Sequence, residues 1–527
     1  MQQGQGRSHW WPTCGVLLGA LTVALNIGVL NVAIPTMMSS LSTDLSRIQW
    51  VQTSYQIAQT MLMPAVGWLG ARLGTKRLFL LSTLTFISSS ALCGLAWDAP
   101  SLIVFRTMQG LGAGPITPLG MSILYSAFAP DKRGLAMGLY NFSFSFGPAI
   151  APALGGHLIE VLSWRAIFYI NVPVGLLSAA IIFFTMPPTQ DRRADPFDAL
   201  GVCSMAGFLV PLLLAMSEGR HYGWNSSLII SLLAIAALSL IIFIVAELTV
   251  AKPFVNIRLY TNVPFAMGCV IGFLNTVEFR GTNFLLPIML QRIFHYTPFQ
   301  AGLFFLPPAL VMGSMSILTG RLSDRMSPKL LLTIGLLGLI YASWQFCGIE
   351  VGVTTATILG LIILRRAAQA FCHSPLTTSA MHNVPEEQVR MASGLFNFHR
   401  TLAGVVGVAV TATLMDYLEQ LHTLRLSQQQ TMYPLGTQAA TETIRSVLYA
   451  EGDRDVMLAQ RADSVLQQIL TDSAALAGYH DLFFLFVLLA IVSLVPVLLL
   501  RGGKPQTASG DHGTPSPRRT RVRGVRP

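Results

Sequence analysis

Runs of about twenty apolar residues return along nearly the whole chain, each long enough to cross a hydrocarbon layer as a helix. No other feature restricts the fold so strongly. Fourteen such spans are expected, near 13–36, 48–69, 77–96, 100–125, 134–159, 164–186, 197–217, 227–248, 263–287, 298–320, 329–349, 353–382, 391–415 and 481–500. Only 11% of the residues are charged and the mean hydropathy is +0.58, whereas soluble domains carry about 25% charge. The first span follows a lone Arg7, exceeds a signal-peptide core and lacks a small-residue cleavage site, so it reads as retained.

Lysine and arginine gather in every second loop: Arg72, Lys76 and Arg77; Lys132 and Arg133; Arg192 and Arg193; Lys252 and Arg258; Arg321, Arg325 and Lys329. The alternate loops carry little beyond Arg47, Arg165, Arg220 and Arg292. By the positive-inside rule the basic loops are cytoplasmic. An even number of spans then puts both termini in the cytoplasm. The net charge of +10 is mostly this topology. The basic tail, 501–527, reads as a disordered cytoplasmic segment rather than a nucleic-acid arm.

The six cysteines form no C-x-x-C pair, and neither a metal nor a disulfide is implied. H-E-x-x-H, G-x-S-x-G and G-x-x-x-x-G-K-[ST] are absent, so no enzyme, cofactor or ATP-driven mechanism is expected.

The chain repeats itself. "AMGLYNF" (136–142) returns as "ASGLFNF" (392–398), "RTMQGLGAGPIT" (106–117) as "RAAQAFCHSPLT" (366–377), and "GWLGAR" (67–72) as "GRLSDR" (320–325). The offsets of 256, 260 and 253 residues imply two homologous halves. Parallel halves related by an axis along the membrane normal are a transporter design, with substrate near the midplane between them. The expected organisation is a cytoplasmic segment 1–12, a six-helix half 13–186, two inserted helices 197–248, and a second six-helix half 263–500 holding an external insert 417–479. In that insert Leu458, Ala462, Val465, Leu466 and Ile469 follow helical spacing, as a lid, an adaptor dock or an unpartnered surface helix would.

Several further stretches resemble one family. "FRTMQGLGAG" (105–114), "GPAIAPALGG" (147–156), "SWRAIFYINVPVG" (163–175), "YTPFQAGLFFLPPA" (296–309) and "ASGLFNFHRTLAGVVGVA" (392–409) are similar to signatures of the fourteen-helix drug:proton antiporter branch of the major facilitator superfamily, over nearly the whole length. The resemblance implies an all-α polytopic protein of the bacterial inner membrane. It implies a secondary exporter of amphipathic or drug-like compounds by alternating access, in exchange for protons. A periplasmic adaptor is one implied partner; nucleic acid is not. The alternative is an exporter of lipid or an endogenous metabolite with atypical or absent proton coupling.

The same resemblance, read residue by residue, marks the sites. In the antiporter motif, Gly147, Gly155 and Gly156 remove bulk, while Pro148 and Pro152 each delete a backbone hydrogen bond. The motif is expected to form a smooth, leak-resistant seam between the halves; simple helix packing is the other reading. Arg106 with Gln109 is expected to influence a nearby proton site, or else to tie backbone carbonyls together. The loop residues Gly67, Arg72, Gly74, Lys76 and Arg77 and their counterparts Gly320, Asp324 and Arg325 resemble a gate, but Ala71 stands where the family has an acid. "LNIGVLNVAIP" (25–35) matches at Asn31 and Pro35, yet Asn26 replaces an aspartate and cannot carry a proton. The repeat and the motifs place Asn26, Asn141, Asn397 and Arg400 near the pathway. Glu278 in the ninth span becomes the candidate coupling acid. A solvated position at the outer mouth is its other reading, and Arg280 lies on a different helical face.

Overall fold

The computed structural model describes residues 10–188, 198–250, 253–350, 352–382, 384–432, 434–450 and 457–499. Arg192, Arg193, Lys252 and the 501–527 tail lie outside the described residues, as do the side chains of Asn31 and Pro152. The described chain is helical, with no strand among the described residues.

The first half holds α1 (Trp10–Ser40), α2 (Leu45–Leu62), α3 (Val66–Leu73), α4 (Thr75–Gly94), α5 (Ala99–Ala127), α6 (Arg133–Val161), α7 (Ala166–Tyr169) and α8 (Asn171–Thr185). Two inserted helices follow, α9 (Ala199–Tyr222) and α10 (Ser227–Thr249). The second half holds α11 (Val263–Arg292), α12 (Pro298–Phe304), α13 (Leu306–Arg325), α14 (Pro328–Phe346), α15 (Thr355–Met381), α16 (Val389–Met432), α17 (Pro434–Ala450) and α18 (Leu458–Leu499). Each expected span coincides with a helix or a closely broken pair. Among the described residues, ten helices are long and apolar enough to cross a membrane.

Local chemistry sets the boundaries. Pro64 separates α2 from α3, since proline offers no N–H to continue the ladder. Asp98 caps α5 by accepting from the Ser101 N–H at 2.8 Å, and the Asp98 N–H in turn donates to the Ser101 hydroxyl oxygen at 3.2 Å. Gly74 ends α3 at φ 81°, a conformation that strains residues with a Cβ. The inserted α9 lies against both halves: Ser217 meets Thr53 of α2 at 3.1 Å, and Arg220 binds Asp416 of α16 through two contacts of 2.6 and 2.9 Å.

The insert 417–479 is helical among its described residues, in line with the helical spacing at Leu458–Ile469. α16 runs past its expected end near 415 to Met432, and α18 begins at Leu458, well before the expected span at 481–500. On the insert's part of α18, Ala462 is buried while Ile469 is 50% exposed, so the apolar stripe is only partly covered.

Candidate functional site

The first half buries a polar node beneath α1. Arg106, 1% exposed, projects from α5 into it. Its guanidinium donates to Asn26 Oδ1 (3.1 Å), Gln109 Oε1 (2.6 Å) and the Val51 carbonyl (3.2 Å). The charge also sits over the rings of Tyr55 and Phe168, 4.5 and 5.6 Å from their centroids. Asn171 donates to Asn26 Oδ1 (3.4 Å) and to Ser90 Oγ (3.2 Å). None of these partners is a carboxylate. The buried amide nitrogens of Asn26 and Gln109 and the Tyr55 hydroxyl have no hydrogen-bond partner, so the node holds a charge with dipoles and aromatic rings and leaves three donors unmet.

The second half builds a similar node with an acid in it. Glu278, 2% exposed, forms an ion pair with Arg365 of α15. Arg365 also donates to Thr282 and to Ser343 Oγ of α14 (2.5 Å), and lies 5.9 Å from the ring centroids of Phe483 and Phe486 of α18. The second carboxylate oxygen of Glu278 has no hydrogen-bond partner. Next along α15, Arg366 donates to Asn283 and stacks on Phe279. Gln369 donates to Asn275 Oδ1 at 2.7 Å and meets His373 at 3.1 Å. A small cavity lies against the pair, lined by Phe279, Asn283, Leu286, Arg366 and Gln369.

The expected solvated position of Glu278 at a span's mouth is therefore not what the structure contains. Its partner is also not the arginine that the repeat motif aligns with Arg106. That motif picks Arg366, whereas Arg365 takes the ion pair, because neighbouring helical residues point about 100° apart. Arg280 is exposed and lies over Gly404 of α16, where a Cβ would come 3.4 Å from its Cγ.

Asn141 and Asn397 are both buried and each reaches the opposite half. Asn141 donates to Ser374 Oγ (3.3 Å) and Asn397 to Met121 Sδ (3.2 Å). Arg400, half-buried, sits 5.9 Å from the Phe396 ring centroid.

The halves meet closely at the basic-loop end. Asp324 of α13 accepts the N–H groups of Gly134 (2.6 Å) and Leu135 (3.0 Å) at the start of α6, a cap supplied across the interface. A Cβ at Gly138 would approach the Ser316 carbonyl oxygen to 2.5 Å, and one at Gly320 would approach the Gly134 carbonyl to 2.4 Å. Across the other seam a Cβ at Gly67 would meet Met391 at 2.8 Å, and Ser393 donates to the Pro118 carbonyl at 2.9 Å. Ala71, the repeat counterpart of Asp324, has no acceptor to give α16. Arg390, at the start of α16, donates to Thr75 at 3.0 Å. Lys76 donates to the Phe183 carbonyl at 2.7 Å, Arg72 stacks on Trp68, and Arg77 and Arg325 are exposed.

The antiporter-motif glycines pack inside the first half instead of between the halves. A Cβ at Gly147 would meet Ala24 at 2.8 Å, and one at Gly155 would meet Val29 at 2.7 Å, both on α1. Gly156 faces open space and Pro148 is exposed. α6 continues through Pro148 and Pro152 without a break. The small residues of this stretch let α1 close on α6, and the inter-half seam falls lower on α6, at Gly134 and Gly138.

Comparison with known proteins gives a consistent picture. The profile described as Major Facilitator Superfamily matches residues 16–408. A multidrug export protein EmrB of Haemophilus influenzae is 32% identical over 92% of this chain and 95% of its own length. A fatty acid resistance protein, FarB, of Neisseria gonorrhoeae is 30% identical over 97% of this chain and 99% of its own. The solved structure of the human organic anion transporter MFSD10 covers 93% of this chain and 100% of its own, with a TM-score of 0.57 at 15% identity. That last likeness concerns the fold.

Proposed function

This chain belongs to the Major Facilitator Superfamily, and from that premise we propose that it exports amphipathic compounds out of a bacterial cytoplasm in exchange for protons. It is a membrane transporter rather than an enzyme. In the proposed cycle the basic-loop end is cytoplasmic, and both termini lie there, in keeping with the positive-inside rule. The described structure then corresponds to a state closed toward the cytoplasm. The four helical stretches that fall outside the ten most apolar ones, α2–α3, α5, α6 and α11, complete the fourteen spans. The exposed apolar side chains of the helical insert, Leu424, Val447 and Ile469 among them, are the surface assigned to an adaptor.

The observation that carries the proton-coupled reading is the buried Glu278–Arg365 pair. An ionisable group inside a span is costly and marks function by default. Here the acid has one oxygen on a cation and one without a partner, beside a small cavity. Protonation releases Arg365, and deprotonation recaptures it. Small changes in the packing of α11 on α15 therefore change which state is favoured, which is the requirement for linking a proton to a conformational cycle.

A second reading keeps the fold and changes the cargo to a lipid or endogenous metabolite with weak coupling. The amide at Asn26 and the similarity to a fatty acid resistance protein favour it. A susceptibility panel of dyes, cationic drugs and long-chain fatty acids, in an efflux-deficient strain with and without the protein, separates the two. Protection against several unrelated drugs supports the first reading. Protection against fatty acids alone supports the second. Protection against none refutes export of either class.

A further inference from the structure

We infer that the Asn26–Arg106 contact is the first half's copy of the Glu278–Arg365 site, with its acid replaced by an amide, so that proton handling is confined to the second half. The inference rests on the proton-coupled reading of Glu278 and extends it to the other repeat.

Register carries the first part. "LNIGVLNVAIP" (25–35) and "VEFRGTNFLLP" (277–287) align without a gap at an offset of 252 residues. Asn31 then falls on Asn283, Pro35 on Pro287 and Asn26 on Glu278. Geometry carries the second part. Arg106 comes from α5 and Arg365 from its repeat mate α15, and each donates to the α1 or α11 position just aligned. The serine in each node is also a repeat mate, Ser90 of α4 and Ser343 of α14, at an offset of 253. Each guanidinium is covered by phenylalanine from the sixth span of its half, Phe168 of α7 or Phe483 and Phe486 of α18. Four elements therefore contribute to both nodes, and at the aligned α1 and α11 position the difference is amide against carboxylate.

The amide leaves a visible mark. A carboxylate only accepts hydrogen bonds, while an amide also brings two donors. Asn26 uses its oxygen for Arg106 and Asn171, and its nitrogen is buried without a partner. An acid of the same shape would fit that place with no unmet donor. Among the described residues, the charged and titratable groups around the Asn26–Arg106 contact are Arg106 of α5, Tyr55 of α2 and Cys93 of α4, with no carboxylate. Those around Glu278 are Arg365 and Arg366 of α15, with His373 of α15 beyond Phe279 and Arg280 on its own helix. α14 and α18 present Ser343, Phe483 and Phe486. The carboxylates Asp416 and Glu419 of α16 and Asp481 of α18 are engaged elsewhere, with Arg220, Arg292 and His422.

The test is an infrared-detected pH titration of the protonated-carboxyl band in the reconstituted full chain. The wild type should show a buried carboxyl that Glu278→Gln removes. The Asn26→Asp/Glu278→Gln double variant should regain one titrating buried carboxyl. A wild-type band unchanged by Glu278→Gln overturns the proton-coupled reading itself. A band lost in Glu278→Gln and not regained in a double variant that elutes as a single folded species overturns the present inference alone. If the double variant does not fold, Glu278→Asn decides. It recreates in the second half the chemistry the first half already houses, so it should fold, lack the band and melt within a few degrees of Glu278→Gln. Failure of Glu278→Asn to fold while Glu278→Gln folds contradicts the equivalence of the two nodes.

Discussion

Replacing Gly138 by alanine should open the basic-loop end of the transporter. The added Cβ would stand 2.5 Å from the Ser316 carbonyl oxygen, 3.1 Å from Ile317 Cα and 3.3 Å from Gly320 Cα. All three are backbone atoms of α13 and none can rotate aside, so α6 and α13 must part. Overpacking of this kind costs about 1–3 kcal/mol. Because the contact joins the two halves, the cost falls on the closed state and is relieved when the halves separate. A bias of 1–3 kcal/mol corresponds to a shift of about 5- to 150-fold in the open-to-closed ratio. Ser323, buried in α13 near the same seam, reports the shift. In a background without reactive native cysteines, maleimide labelling of Ser323→Cys should accelerate within that range when Gly138→Ala is added. Gly156→Ala, whose Cβ meets nothing within 4 Å, should leave the rate unchanged. Equal labelling rates with and without Gly138→Ala would refute the seam as a contact specific to the closed state.

Other expectations follow from the same geometry. Asp324→Ala removes the cap on α6 and should cost the closed state about 0.5–2 kcal/mol, again read as faster labelling; Ala71→Asp, placing an acid where the repeat has Asp324, should slow it. Gly147→Leu should abolish export by forcing α6 off α1, where Ala24 and the Leu25 N–H lie within 3.0 Å of a new Cβ; near-normal drug protection would contradict this. Hydrogen bonds from Ser101 hold the Asp98 carboxyl below its usual pKa. Its cap on α5 therefore contributes above the ordinary aspartate range and is lost as pH falls through the depressed value. Protection of the amides at the start of α5, taken relative to their intrinsic exchange rates, should fall on that acidification, and should be low at all pH values in Asp98→Ala.

The helices were legible because hydropathy and length suffice for spans, and three motif offsets were enough to reveal the two halves. Glu278 was legible as an acid inside a span. Its partner was not, since the repeat motif aligns Arg366 with Arg106 and one residue turns the side chain onto another face. The register of α1 with α11 is carried by only Asn31, Pro35 and their mates, so it becomes persuasive once the nodes are seen in space. The packing of Gly147 and Gly155 on α1 was hidden for a different reason. Small residues announce a close approach without naming the helix that approaches. The insert was harder still, because α16 and α18 continue as helices past the point where hydropathy falls.

Proteoliposomes with an imposed pH gradient test the central claim most directly. The compound that gives the largest protection in the susceptibility panel is loaded, and gradient-driven transport is compared between the wild type and Glu278→Gln. Glutamine keeps an acceptor for Arg365, much as Asn26 and Gln109 serve Arg106, so the fold should tolerate it. The account predicts that Glu278→Gln loses the acceleration by the pH gradient while exchange of the compound without a gradient persists. Gradient-driven transport by Glu278→Gln at the wild-type rate would contradict it.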